Sequence, residues 1–76
     1  MTTKVYEVSF KEYWDYDRNY GNQDTFSVSA KDGETAIAKV KNFVLKRSFV
    51  NDETGKTHNV VKFELVELKK ISELDL

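Results

Sequence analysis

The chain has 76 residues, no cysteine and no proline, and its twelve Lys and Arg stand against thirteen Asp and Glu for a formal charge of −1. One small domain follows, able to bury only about 60% of the surface its unfolded form exposes, with no disulfide or thiolate metal site to supplement its core. The charge balance argues against a DNA mimic and provides no bulk field for a polyanion, while 39% hydrophobic residues argue against a disordered chain.

No cationic leader precedes an apolar stretch, and no apolar run approaches the roughly 18 residues of a membrane span, so a soluble cytoplasmic protein is expected. Residues 4–14 alternate, with Tyr6, Val8 and Phe10 on one face and Val5, Glu7, Ser9 and Lys11 on the other, which predicts a half-buried strand. Residues 15–24 are rich in Asp, Asn and Gly and read as a long hairpin connection. Alternation returns over residues 25–31, with Phe26, Val28 and Ala30 inward, predicting a second strand antiparallel to the first.

Asp32 is placed to cap a helix over residues 33–48, with Glu34 complementing the helix dipole. At 100° per residue, Ala36, Ile37, Val40, Phe43 and Val44 share the core side, opposite Thr35, Lys39, Asn42 and Lys46, with Leu45 at the margin. Phe49 and Val50 read as a short extra strand before a turn over residues 51–56. Residues 60–68 form the last strand, and the phase change at Val66 and Leu68 marks a bulge or burial on both faces. The tail, residues 69–76, reads as a docked helical turn or a frayed end. The expected fold is a two-layer α+β domain of order β-β-α-β, its first strand central and one helix on one face of an antiparallel sheet.

The stretch Tyr13-Trp14-Asp15-Tyr16-Asp17-Arg18-Asn19-Tyr20 interleaves four large aromatics with charges where a turn is expected. Tyrosine, tryptophan and arginine pair large contact areas with polar edges and recur in binding hot spots. Trp14, Asp15, Tyr16, Asp17, Arg18 and Tyr20 are therefore the candidate protein-binding residues, with Tyr13 and Trp14 also suited to finishing a core strand. The same stretch opens like a calcium loop at Asp15-x-Asp17-x-Asn19, but Tyr20 stands where glycine is needed and Phe26 where a bidentate Glu should close the sphere. Gly55-Lys56-Thr57 lacks the first glycine of a phosphate loop, since position 50 is Val50, and it leads into a strand.

His58 is the only histidine, and no spacing suggests zinc or a nucleophile–base pair, so no metal, cofactor or catalytic residue is assigned and a non-enzymatic role is expected. A different class of reading uses Lys39, Lys46 and Arg47 as phosphate contacts for nucleic acid, diluted by interleaved acids such as Glu34 and Glu53. A homodimer through an open sheet edge, or through Ile71, Leu74 and Leu76, would add buried area to a thin core.

From Phe26-Ser27-Val28-Ser29-Ala30-Lys31 through Asp32-Gly33-Glu34-Thr35-Ala36-Ile37, a strand runs through a cap into an amphipathic helix. The order of elements resembles small bacteriophage accessory proteins, a functional grouping without a diagnostic motif. The resemblance implies binding that blocks or redirects a host machine, in the host cytoplasm, and carries over no site residue.

Overall fold

A computed structural model describes residues 2–75. The elements are β1 (Thr2–Trp14), β2 (Asp17–Ala30), α1 (Gly33–Leu45), β3 (Ser48–Val50) and β4 (Thr57–Asp75). The strands form one antiparallel sheet in the order β2-β1-β4-β3, and α1 packs on one of its faces. The α+β architecture expected from the alternation is present, with the short strand at Phe49–Val50 as the fourth. No helix among the described residues is long and apolar enough to cross a membrane.

The even-numbered residues of β1 build the core. Tyr6, Val8, Phe10 and Trp14 are buried together with Ala30, Val60 and the helix residues Ala36, Val40 and Val44. Phe10 sits at the centre, fully buried, with its ring 5.2 Å from Phe26 of β2 and 5.3 Å from Phe63 of β4. Three neighbouring strands thus each contribute a phenyl ring beneath the helix. Ring pairs at this separation add to the apolar area they remove from water.

Asp32 caps α1 as its sequence predicts. Its backbone is extended, its Oδ1 accepts from the Thr35 N–H at 2.8 Å, and this hydrogen bond, before the nearby Lys charges, holds its carboxyl below the usual carboxylate range. The helix ends at Leu45, short of the expected Ser48, because Arg47 and Ser48 turn back toward the sheet. There the Arg47 carbonyl accepts from the Val60 N–H at 3.2 Å.

Three expectations are corrected. The hairpin connection is only Asp15–Tyr16, and β2 begins at Asp17. The polar residues 22–24 pair with Phe10, Lys11 and Glu12, because an edge strand needs only one ladder of backbone bonds and leaves its other side to solvent. Between the pairs Glu12–Asn22 and Trp14–Asp17, β1 has Tyr13 alone while β2 bulges out through Arg18–Gly21. Gly21 leaves room there for the Tyr13 ring: a Cβ on it would lie 2.8 Å from Tyr13 Cζ and 3.1 Å from Lys11 Cβ, so the end of that ring would have to move.

Phe43 is not in the core. It is 60% exposed, at the helix margin above β2, with its ring edge-on to Phe26 at 5.6 Å. The tail is neither helical nor detached, since β4 continues to Asp75 and pairs with Thr2–Val5. The phase change at Val66 is one of three register shifts along β4, which leave Val61, Val66 and Ile71 without a partner in β1. Each of these three is exposed. Of the other tail residues proposed for association, Leu74 pairs with Thr3, and Leu76 lies outside the described residues.

Candidate functional site

The short hairpin of β3 and β4 determines what surrounds the β1–β2 turn. Asn51 organises its loop: the Asn51 Oδ1 accepts from the Glu53 N–H at 2.9 Å, the Gly55 N–H donates to the Asn51 carbonyl at 2.7 Å, and Gly55 takes a positive φ of 72°. The resulting register sets Phe49 opposite His58. Both rings thereby arrive at the end of β1.

At that end Trp14 is buried and forms the floor. Phe49 meets it edge-on at 5.3 Å and Tyr16 stacks on it at 6.1 Å, while Tyr16 and Phe49 lie 6.0 Å apart. His58 is within 5.2 Å of both Tyr16 and Phe49. Tyr16 remains 57% exposed, Phe49 42% and Val50 57%, so an apolar and aromatic surface faces solvent on a buried base.

Asp15 fastens this cluster. Its Oδ1 bonds His58 Nδ1 at 2.9 Å, its Oδ2 accepts from the Asn59 N–H at 3.1 Å, and its own N–H donates to the Asn59 carbonyl at 3.0 Å. The His58 hydrogen bond, assisted by the Asn59 N–H and the charges of His58 and Arg18, holds the Asp15 carboxyl below its ordinary 3.8 against the opposing effect of burial. A depressed carboxyl contributes stability above its ordinary pKa and loses it as pH falls through the folded value. The tip is therefore expected to hold its geometry from neutral pH down to about pH 4 and to loosen below it. Trp14 fluorescence should report the step, and Asp15→Asn should remove it while leaving the acid response of the Asp32 cap.

Of the sequence-predicted residues, Trp14, Asp15 and Tyr16 are brought together, and Arg18 lies close enough to act on the Asp15 charge. Trp14 supports the surface from below. Asp15 is engaged within the fold, and Asp17 accepts from the Asn19 N–H at 3.3 Å. Tyr20 stands apart on the β2 bulge, 62% exposed. Phe49 and His58 belong to the cluster without having been singled out for it. Their signal was the glycine turn at residues 51–56 flanked by Phe49 and His58, a hairpin that sets the two opposite each other.

The basic residues considered for nucleic acid do not share a free face. Arg47 bonds the buried Glu12 carboxylate at 3.0 and 3.3 Å, Lys39 donates to the Ser29 carbonyl at 2.9 Å, and Lys46 is the exposed helix C-cap. Among the described residues, no group of three or more His, Cys, Asp or Glu is arranged to hold a metal. Comparison with protein-family models, curated proteins and solved structures finds no match to this chain.

Proposed function

We propose that this chain is a non-enzymatic protein-binding module whose contact surface is the aromatic end of the sheet. The observation that carries the reading is the exposure of Tyr16 and Phe49 on a floor of buried Trp14, fixed by the Asp15–His58 bond. Rings held in one orientation lose little entropy when a partner covers them, and aromatic residues with a nearby arginine are the usual anchors of such contacts. Arg18, beside this end, supplies a charge for register, and Tyr20, apart from it on the β2 bulge, offers a second exposed ring. The resemblance to small bacteriophage accessory proteins extends the proposal to inhibition or modulation of a host complex.

The Asp15–His58 pair has the arrangement of a base and its orienting carboxylate, yet the side-chain hydrogen bond found for His58 among the described residues runs to Asp15 and none to a hydroxyl nucleophile. The nucleic-acid reading has less support, since two of its three cations hold intramolecular partners. Tyr16→Ala and Phe49→Ala are each expected to weaken partner capture from native host cells by about 30-fold, the effect of losing a hot-spot side chain. Glu67→Ala, on the polar sheet face, should leave it unchanged. Full capture by both aromatic variants would refute the assignment.

A further inference from the structure

The two long edges of the sheet are defended unequally. The outer side of β4 belongs to a strand broken by register shifts at Val61, Val66 and Ile71 and studded with Lys62, Glu64, Glu67, Lys69, Lys70 and Glu73, devices that discourage strand addition. The outer side of β2 from Gln23 to Ala30 has no register shift, no proline and a single charge, Asp24. An edge of this length, guarded only by Asp24 and by Lys39 reaching over from α1, is a template for another strand.

Its backbone orientation can be read from three contacts. The Thr25 N–H donates to the Asp24 carboxylate at 2.8 Å and the Ser29 carbonyl accepts from Lys39 Nζ at 2.9 Å, so these groups are satisfied by side chains and not by β1. Thr25 and Ser9 bond through their hydroxyls at 2.9 Å, as close side chains do in a non-hydrogen-bonded antiparallel pair. By the two-residue alternation, Thr25, Ser27 and Ser29 all point their backbone groups outward.

We infer that this edge pairs antiparallel with the same edge of a second copy of the chain, Ser27 opposite Ser27 and Thr25 opposite Ser29. In that register the Thr25 N–H finds the Ser29 carbonyl of the other copy, which releases Asp24 from one end and Lys39 from the other. Both side chains stand on the helix side of the seam, since Asp24 pairs with inward-facing Phe10 and Lys39 comes from α1. The freed carboxylate lies opposite Ala30, next to Ser29, where the freed ammonium of the other copy already sits. Two Asp24–Lys39 ion pairs thus form across the two-fold axis, and no like charges meet.

The apolar groove beside this edge, about 420 Å³ and lined by Phe26, Val28, Val40 and Phe43, then faces its own copy across the seam. The exposed Phe43 rings from the two helices occupy the space between them. A seam of this kind is expected to bury roughly 1,000 Å², the lower end of the specific range, so a weak, micromolar dimer is expected. The seam is separate from the aromatic end, so this inference stands or falls independently of the proposed binding surface.

Sedimentation of the wild-type chain should show a reversible monomer–dimer equilibrium, and the Ser27 amide should gain hydrogen-exchange protection as concentration rises. Asp24→Lys and Lys39→Asp, each setting two pairs of like charges across the seam, should each weaken self-association at least about tenfold. Mixing these two variants should restore a dimer, because each then supplies what the other lacks. A monomer up to about 1 mM, well above any micromolar Kd, would overturn the inference and leave the edge to an extended peptide. So would charge variants that self-associate like wild type or fail to complement each other.

Discussion

Phe10→Ala is expected to destabilise the domain by about 4 kcal/mol, the usual cost of removing a fully buried phenyl ring. Phe10 has no exposed surface and bridges Phe26 and Phe63, so its loss opens a cavity where phenyl rings of β2, β1 and β4 meet beneath α1. Those neighbours are fixed by strand pairing and cannot close the space. A chain of 76 residues has a total stability of roughly 4–11 kcal/mol. The variant should therefore unfold at a urea concentration far below wild type, read by the fluorescence of the single tryptophan, Trp14. A loss below about 1 kcal/mol would show that the ring is not the keystone of the core.

Arg47→Ala should cost about 3 kcal/mol, because it leaves the Glu12 carboxylate buried without its partner. The Glu12 side chain is 7% exposed and receives bonds of 3.0 and 3.3 Å from the guanidinium, which itself reaches solvent. Removing both charges should be far milder. Glu12→Met combined with Arg47→Met removes the buried carboxylate together with its partner and should stay close to wild-type stability. The four unfolding curves of the double-mutant cycle separate the penalty of an orphaned charge from the value of the pair. A single Arg47→Ala variant as stable as wild type would contradict the reading.

The core face of the sheet was written in the alternation of Tyr6, Val8 and Phe10 and of Phe26, Val28 and Ala30, and the helix start was written in Asp32. Those signals are local. The Glu12–Arg47 pair was invisible because its members lie 35 positions apart and each resembles an ordinary surface charge. The start of β2 was obscured by Asn22, Gln23 and Asp24, whose turn-like composition yields to strand pairing when a neighbouring strand supplies the ladder.

The candidate site was half legible. Trp14 and Tyr16 drew attention as aromatics beside a turn, whereas Phe49 and His58 arrive there only through the pairing of β3 with β4. Of the two acids proposed as partner contacts, Asp15 is engaged by His58 and Asn59 of β4, while exposed Asp17 accepts from the Asn19 N–H. The exposed part of the surface is thus narrower and more apolar than the string of residues suggested. A helical wheel also places Phe43 with the core, but α1 lies across the middle of the sheet and leaves that margin above the β2 edge.

The most direct test of the proposed binding surface is site-specific photo-crosslinking in the cells where the chain is made. A photoreactive phenylalanine is placed in turn at Tyr16, at Phe49 and, as a control, at exposed Lys69 on the polar side of the sheet. The same partner protein should be captured from Tyr16 and Phe49 and not from Lys69. Capture from Lys69 alone, or from none of the three, would contradict a partner seated on the aromatic end.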